Sequence, residues 1–348
     1  MEPLAKPDTF QHISFQFKTL QLLGLWFYIP HDFNCPNIFL IKLILAGDAE
    51  IQEIAVIINL VLTELLTSLK LLDLRCRRAL HRELKEQMES SEFLYFHRPQ
   101  IEIIEKSIKL SKKLFVWLTI GVAIDITDHI IIVPAVHGFQ FLPVKMDSIF
   151  FDVNDYPYFN ILYKPTLLFT FGAVQSLRWA FMLCTISQLD VLVYNLKNMK
   201  KLNEDESLLE RESFDNVFKR NIIHHSAIIQ FVKTFEAAFG GQFILFFIIN
   251  SCIIGTTATQ FFSTQSPLSH KVDILWMFVF LFILVTILLI DCYFGSTITD
   301  KNSYISMLTL TINAAKIIPV SMATFTKVPY IYLNTLVLGK WSVILLND

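Results

Sequence analysis

The chain has 348 residues, a formal net charge of −2, and a composition that is 53% hydrophobic and 17% charged. Soluble domains have roughly 45–50% apolar and about 25% charged residues, so this composition favours a membrane protein over a soluble domain. The near-neutral charge, with no pattern of interleaved basic and aromatic residues, argues against a nucleic-acid partner.

Five apolar runs are long enough to cross a bilayer, which takes about 20 residues of α-helix. They occupy residues 54–72, 114–136, 165–189, 237–261 and 274–294. A sixth run, 324–346, is weaker because Lys327 and Lys340 flank a short uncharged stretch. Near the start, 37–46 is apolar but reaches about half a membrane thickness. The chain therefore has six predicted spans and one short additional span.

The basic residues between the runs predict the orientation, because cytoplasmic loops of membrane proteins are enriched in Lys and Arg. Loops 73–113 and 197–220 contain ten and six basic residues, whereas loops 137–164 and 262–273 contain two and one. The first two loops are therefore predicted to be cytoplasmic. With 37–46 as the start of a first span, the chain has seven spans, with its N-terminus inside and its C-terminus outside.

The predicted cytoplasmic loops have helical character of their own. The stretch "DLRCRRALHRELKEQMES" continues the first clear run as a charged amphipathic helix, and "SLLERESFDNVFKRNIIHHSAIIQFVKTFEAAF" leads into 237–261 in the same way. In "HRPQIEIIEKSIKLSKKLF", Ile101, Ile104, Ile108 and Leu110 are near helical spacing. Spanning helices that continue past the membrane can pack as a bundle inside the cell.

The sequence offers little for catalysis. It contains no GxSxG, HExxH, P-loop or GxGxxG pattern. The adjacent His224 and His225 point about 100° apart in a helix, so they cannot easily share a metal ion. The five cysteines are scattered without metal-binding spacing. We therefore expect no enzyme activity, no cofactor and no bound metal, and we expect the two histidines to have a packing role.

The most unusual stretch is "VAIDITDHIIIV", residues 122–133, because three ionisable side chains lie inside an apolar run. Asp125 is near the middle of the run, and Asp128 and His129 follow three and four residues later on the same helix face. Ionisable groups within a membrane are costly and point to function or to pairing. Two interpretations stay open: the groups pair with polar neighbours, or they line a water-accessible pocket that opens to the outside.

Other charged residues also lie in the predicted spans. Arg178 is deep in its run and requires an acidic partner, for which Asp125 is a candidate. Glu64 and Lys70 lie toward the cytoplasmic end of their run, so we expect their side chains to reach the membrane interface.

Further polar and aromatic residues are predicted at the depth of Asp125 and His129. The polar ones are Asn59, Gln175 and Thr257, and the aromatic ones are Phe169, Phe171, Trp276 and Phe280. An aromatic cavity with a few polar groups suits a small, mostly apolar ligand. The same composition is typical of any helix-bundle core, so it does not decide between the two interpretations.

Five stretches carry a recognisable pattern in chain order. They are "FKTLQLLGLWFYIP", "FLPVKMDSIFFDVNDYPYFNILY", "RNIIHHSAIIQFVKTFEAAF", "DCYFGSTITDKN" and "KIIPVSMATFTKVPYIYL". Together they resemble the insect odorant receptor family, with the best match at Tyr293, Phe294 and Gly295 and a closing signature of Lys, Val-Ser, Phe and Tyr. The sequence departs from the family in its short first span, in a shortened segment after Gly295, and in "YIY" where Tyr-Ser-Tyr is usual. The end pattern of the related gustatory receptors does not fit.

The resemblance implies an all-α membrane protein with seven transmembrane helices, an inverted topology (N-terminus in, C-terminus out), and cytoplasmic helical extensions that form an anchor bundle. It divides the chain into a cytoplasmic or re-entrant segment (1–36), helices one to six with an odorant pocket (37–294), and a cytoplasmic helix with the pore-lining seventh helix (295–348). It implies the odorant-binding subunit of a ligand-gated, non-selective cation channel, which acts with a shared co-receptor as a hetero-tetramer in olfactory signalling. The expected location is the plasma membrane of a sensory neuron dendrite. The alternatives are a gustatory-type ligand-gated channel and a non-channel membrane receptor or transporter.

The same resemblance places the functional regions on the sequence. Ligand binding is expected at Asn59, Asp125, His129, Phe171, Gln175, Trp276 and Phe280. The gate is expected at 335–339. Thr335 and Gly339 stand where the family has apolar gate residues, so Leu336 or Leu338 is expected to form the gate instead. The expected partners are the co-receptor subunit, a small volatile organic ligand and the lipid bilayer, with no nucleic acid and no cofactor.

Overall fold

The computed structural model describes residues 51–93, 98–127, 157–198, 214–263, 271–305, 313–314 and 318–321. The runs predicted at 37–46 and 324–346, the pair Asp128 and His129, and the gate residues at 335–339 lie outside the described residues.

Six α-helices account for nearly all of the described residues. They are α1 (Ile51–Cys76), α2 (Arg78–Met88), α3 (Arg98–Thr127), α4 (Pro157–Lys197), α5 (Phe214–Ser263) and α6 (Lys271–Ile305). One turn of 3-10 helix, Ser91–Phe93, follows α2. Two short strands, β1 (Asn313–Ala314) and β2 (Ile318–Pro319), pair antiparallel with Asn313 opposite Pro319. The predicted all-α fold class is confirmed.

The helices contain the predicted apolar runs and continue beyond them. Three helical stretches of the described chain are long and apolar enough to cross a membrane, namely Leu168–Lys197, Asn216–Thr257 and Phe278–Ile305. The helices α1 and α3 cover the two other clear runs as far as the structure describes them. With 41 residues in α4 and 50 in α5, the predicted helical extensions are confirmed.

Contacts between helices show that successive long helices alternate in direction. On α1 and α5, Asn59 meets Thr257 and Lys70 meets Phe246, so one helix ascends as the other descends. The helix α4 is antiparallel to α3 and α5 and parallel to α6, as their side-chain contacts show. This alternation is what a chain that crosses a bilayer repeatedly must adopt when its loops are short.

Four phenylalanines on one face of α5 lie at the centre of the bundle. Phe231, Phe235, Phe239 and Phe243 recur every fourth residue, so they share one helix face, and all four are buried. The ring centroids of Phe235 and Phe239 are 5.0 Å apart, and Phe181 of α4 packs with its centroid 5.8 Å from that of Phe239. Full burial of each such ring contributes about 1.5–3 kcal/mol of transfer free energy.

The helix α2 continues α1 after a one-residue break at Arg77 and packs against α5. Backbone hydrogen bonds from Arg77 to Asp73 (2.9 Å) and from His81 to Arg77 (3.2 Å) carry the helical pattern across the break. His81 is fully buried, and its ring meets that of Phe239 edge-on, with 4.7 Å between centroids. Neither ring nitrogen has a hydrogen-bond partner within the described residues. Burial and, to a smaller degree, the charge of Arg77 lower the pKa of His81 to about 4.

The first half of α3 buries one face against α4. Ile101, Ile104 and Ile108 lie on that face, as their helical spacing predicts. Leu110 does not join them and is 42% exposed, because two residues turn a helix by about 200°. Ser111, one position later, is buried instead.

Candidate functional site

Three charged side chains lie together inside the bundle. Lys70 of α1, Arg178 of α4 and Asp291 of α6 are each 1% exposed or less. The Nη2 atom of Arg178 forms an ion pair with Oδ2 of Asp291. Because an isolated charge is strongly destabilised away from water, each of these groups requires partners from neighbouring helices.

Asp291 is the acceptor at the centre of this group. Its Oδ1 accepts hydrogen bonds from Trp179 Nε1 at 2.7 Å and from Gln175 Nε2 at 3.1 Å. Its Oδ2 accepts from Arg178 Nη2 and, at 3.2 Å, from Gln175 Nε2. Positions 175, 178 and 179 share one face of α4, so a single helix face holds the carboxylate of α6.

Gln175 joins the two cations. Its Oε1 accepts hydrogen bonds from Lys70 Nζ at 3.0 Å and from Arg178 Nη2 at 2.8 Å. Lys70 Nζ also lies 3.9 Å from the ring centroid of Phe171 and 4.7 Å from that of Phe246, within the range of cation–π attraction. We refer to Lys70, Gln175, Arg178, Trp179 and Asp291 as the charge network.

The charge network corrects two sequence-based expectations. Lys70 does not reach the membrane interface, because the amide oxygen and two aromatic rings hold its ammonium group inside the bundle. Arg178, for which Asp125 was the expected partner, pairs with Asp291, because the parallel packing of α6 on α4 brings Asp291 beside it. Asp125 lies on α3, Glu64 lies on α1, and both side chains are outside the described residues.

A second group of polar contacts lies nearer the start of α1. Asn59 Nδ2 donates to Thr257 Oγ1 at 3.1 Å, and Thr256 Oγ1 donates to Asn59 Oδ1. Asn59 is eleven residues from Lys70, and Thr257 is eleven residues from Phe246. At about 1.5 Å per residue, each separation is about 16 Å. The bundle therefore has two polar layers at different depths.

The predicted ligand-binding residues divide between these layers. Phe171 and Gln175 contact Lys70 and belong to the layer of the charge network. Phe280 is half-buried against the main core. It lies eleven residues before Asp291 on α6, so its depth is about that of Asn59.

The remaining predicted site residues lie partly or wholly outside the described residues. Asp125 and Trp276 are on α3 and α6, but their side chains are not described, and His129 lies beyond the described end of α3. The charge network itself contains two residues, Trp179 and Asp291, that the sequence reasoning did not select. Asp291 could have been found, because it is an acid inside the run 274–294.

The adjacent histidines contact different helices. His224 Nε2 is 2.9 Å from Gln188 Oε1 of α4, and His225 Nε2 is 3.1 Å from Asn302 Oδ1 of α6. The predicted packing role is confirmed, with each imidazole directed at a separate amide. In the part of the chain that the structure describes, no group of three His, Cys, Asp or Glu side chains is placed to hold a metal ion.

The family model described as 7tm Odorant receptor matches residues 50–307. This match includes all six described helices and both polar layers. The chain belongs to the odorant receptor family. Membership identifies it with a class of receptors rather than with a class of enzymes.

Odorant receptors of known structure share the fold of this chain. The insect olfactory receptor OR5 from Machilis hrabei matches with a TM-score of 0.74 and 11% sequence identity, over 95% of this chain and 99% of that chain. The same receptor in complex with eugenol matches with a TM-score of 0.73 and 10% identity over the same shares. No curated protein matches the sequence. This odorant receptor therefore has the seven-transmembrane helical fold of insect olfactory receptors.

Two parts of the odorant receptor signature meet in the structure. A Cβ atom built on Gly295 of α6 would overlap the carbonyl oxygen of Val320, which is itself buried. Glycine is therefore required where the segment after β2 approaches the backbone of α6. Gly295 lies about one turn beyond Asp291, so this contact and the charge network occupy neighbouring turns of the same helix.

Proposed function

We propose that this odorant receptor is the odorant-binding subunit of a ligand-gated, non-selective cation channel, which opens together with a shared co-receptor subunit. Family membership over residues 50–307 is the observation that carries the proposal. The shared fold with a receptor solved in complex with eugenol supports a small, volatile organic ligand. The basic loops 73–113 and 197–220 support an orientation with the N-terminus inside. Family membership supports a location in the plasma membrane of a sensory neuron.

The proposed ligand site is in the outer half of the bundle. In the proposed orientation, Asn59 and Phe280 lie in this half, and the charge network lies about 16 Å nearer the cytoplasm. The proposed lining residues are Asn59, Asp125, His129, Trp276 and Phe280, with Phe171 and Gln175 at the inner end. The hydrogen bonds of Gln175 to Lys70, Arg178 and Asp291 support a position for its amide at the floor of the site.

The proposed mechanism begins with the transfer of an apolar ligand from water. Burial of apolar surface contributes about 25 cal/mol per Å², and polar groups such as the imidazole of His129 select among ligands by hydrogen bonding. Ligand opens the channel if the open state binds it more tightly than the closed state does. Leu336 or Leu338, within the gate region 335–339, is proposed to form an apolar constriction in the last span, which closes by excluding water.

Whole-cell recording with a panel of volatile odorants tests the proposal. The chain is expressed with the co-receptor and without it, and the co-receptor alone is the control. We expect odorant-evoked cation current when both subunits are present and little current from this chain alone. Large currents from this chain alone would refute the partnership. An absence of odorant-evoked current from surface-expressed pairs would favour a receptor or transporter without a pore.

A further inference from the structure

The charge network contains two basic side chains and one carboxylate in the described part of the chain. The cations Lys70 and Arg178 share the amide oxygen of Gln175, whereas Asp291 is the carboxylate bound to that amide and to Arg178. All of these side chains are buried, so water does not replace a partner that moves away.

Arg178 lacks acceptors for part of its guanidinium among the described residues, although that group lies 4.3 Å from the ring centroid of Phe243. Its Nη2 donates to both Gln175 and Asp291, whereas Nε and Nη1 have no acceptor among the described residues, although both atoms are shielded from solvent. A buried donor without an acceptor destabilises the conformation that contains it. A guanidinium can hold a carboxylate through two nitrogens at once. A second nitrogen of Arg178 reaches Asp291 only if the guanidinium or α6 changes position.

The helix α6 is positioned to pass such a shift to the end of the chain. Gly295 is about one turn beyond Asp291, and its backbone leaves no room for a Cβ beside the Val320 carbonyl. A contact between backbone atoms cannot be relieved by a change of side-chain rotamer. A shift of α6 toward Val320 therefore displaces the segment at Val320.

We propose that the charge network is a switch with two positions of α6. In the described position, Arg178 holds Asp291 through one guanidinium nitrogen, and in the other position it holds Asp291 through two. The link from this switch to channel opening rests on the proposed function, because the chain after Val320 leads to the predicted gate. A ligand that favours one position of α6 then biases the gate. The alternative is a static ion pair with a purely structural role.

Two thiols report the movement in the full-length protein. Cys292 follows Asp291 on α6, Cys184 lies on α4, and both are buried without a disulfide. Their labelling rates with a membrane-permeant maleimide, resolved by peptide mass spectrometry, measure how often each becomes accessible. Trp179→Phe removes the donor to Asp291 Oδ1 and frees that oxygen for Arg178. We expect the Cys292 rate to rise about tenfold, from the loss of a hydrogen bond to a charged group, with Cys184 unchanged.

A matched control and a second variant complete the test. Ser176→Ala alters a buried position of α4 next to Gln175, but its hydroxyl donates to the Ala173 carbonyl of its own helix, so both labelling rates should stay as in the wild type. Lys70→Met removes the other donor to Gln175 Oε1 and leaves that oxygen to Arg178 alone in the described position. It should therefore lower the Cys292 rate, the opposite of Trp179→Phe.

The outcomes separate the switch from the alternative and from the channel proposal. Equal increases at Cys292 and Cys184 would show general loosening, and unchanged rates would show a static ion pair; either result overturns the switch. Recordings at matched surface amounts, with eugenol and other volatile phenols and alcohols as probes, should show an altered basal current in Trp179→Phe. If the chain shows the expected labelling pattern but gives no current with any probe, the switch is supported and the channel proposal is wrong.

Discussion

The substitution Asp291→Asn tests the charge network most directly. The amide keeps the size of the side chain but removes its charge and replaces one acceptor oxygen with a donor. Lys70 and Arg178 then lie in the bundle without a carboxylate from the described part of the chain. The new amino group must also face a donor from Arg178, Trp179 or Gln175, where the wild-type oxygens accept.

The size of the effect follows from burial. Removing one partner of a buried ion pair costs about 3–5 kcal/mol, against a total stability of about 5–15 kcal/mol for a typical domain. The pair of Asp190 and Lys301 gives a matched control, because it also joins α4 to α6, but its side chains are 38% and 29% exposed. An exposed pair of this kind contributes about 0–1 kcal/mol.

Thermal unfolding of the tagged full-length protein in detergent, followed by fluorescence-detected size-exclusion chromatography, measures the difference. Asp291→Asn should lower the melting temperature by several degrees and reduce the amount at the cell surface, whereas Asp190→Asn should stay within about 1 °C of the wild type. Lys70→Met in the Asp291→Asn background should recover part of the loss, because it removes one of two unpaired cations. Equal melting temperatures for the two Asn variants would refute the electrostatic reasoning.

Three further predictions follow from other parts of the chain. His129→Ala should raise the half-maximal odorant concentration by a few-fold to about tenfold at unchanged surface amount, since a lost hydrogen bond is worth about 0.5–1.5 kcal/mol; an unmoved dose–response would count against a ligand contact. Gly295→Ala should displace the segment at Val320 and lower the melting temperature, and a variant that melts like the wild type would show that the backbones do not touch. The folded-state pKa of His81, about 4, lies below its ordinary value of 6.5, so the folded protein favours the neutral imidazole. The contribution of His81 to the free energy of unfolding is therefore complete above pH 6.5 and is lost as the pH falls toward 4. Unfolding should therefore cost about 2 kcal/mol less at pH 5 than at pH 7, and His81→Leu should remove this difference, as melting curves at the two pH values would show.

The helices were predictable because length and hydrophobicity alone determine them. An apolar run of bilayer length has few alternatives to a helix, since its backbone groups must bond within the segment. The same criterion underestimates helix length, as the 50 residues of α5 show, because a polar sequence can continue a helix without contributing to an apolar run. On α3, spacing correctly selected Ile101, Ile104 and Ile108, whereas Leu110 shows that an apolar residue two positions away belongs to another face.

The depth of a polar residue was less predictable than its presence. Gln175 was placed with Asn59 on the basis of position within each run, but it bonds to Lys70, about 16 Å from Asn59 along α1. Each helix enters the bundle with its own offset and tilt, and an apolar run of variable length does not fix either. A cross-helix contact is therefore needed before residues on two spans can be assigned to one layer.

The partner of Arg178 depends on the arrangement of the helices rather than on any local pattern. Asp125 and Asp291 both lie in apolar runs, and either could neutralise a cation on α4. What decides is that α6 runs parallel to α4, which brings Asp291 level with Arg178 and Lys301 level with Asp190. The two pairs are separated by 12 positions on α4 (178 to 190) and by 10 positions on α6 (291 to 301). A base and an acid on one span can therefore pair with an acid and a base at a similar separation on a parallel neighbour. An antiparallel neighbour offers the same match, because Lys113 lies twelve residues before Asp125 on α3. The sequence therefore leaves Asp125 and Asp291 as equal candidates, and the contacts of α6 with α4 select Asp291.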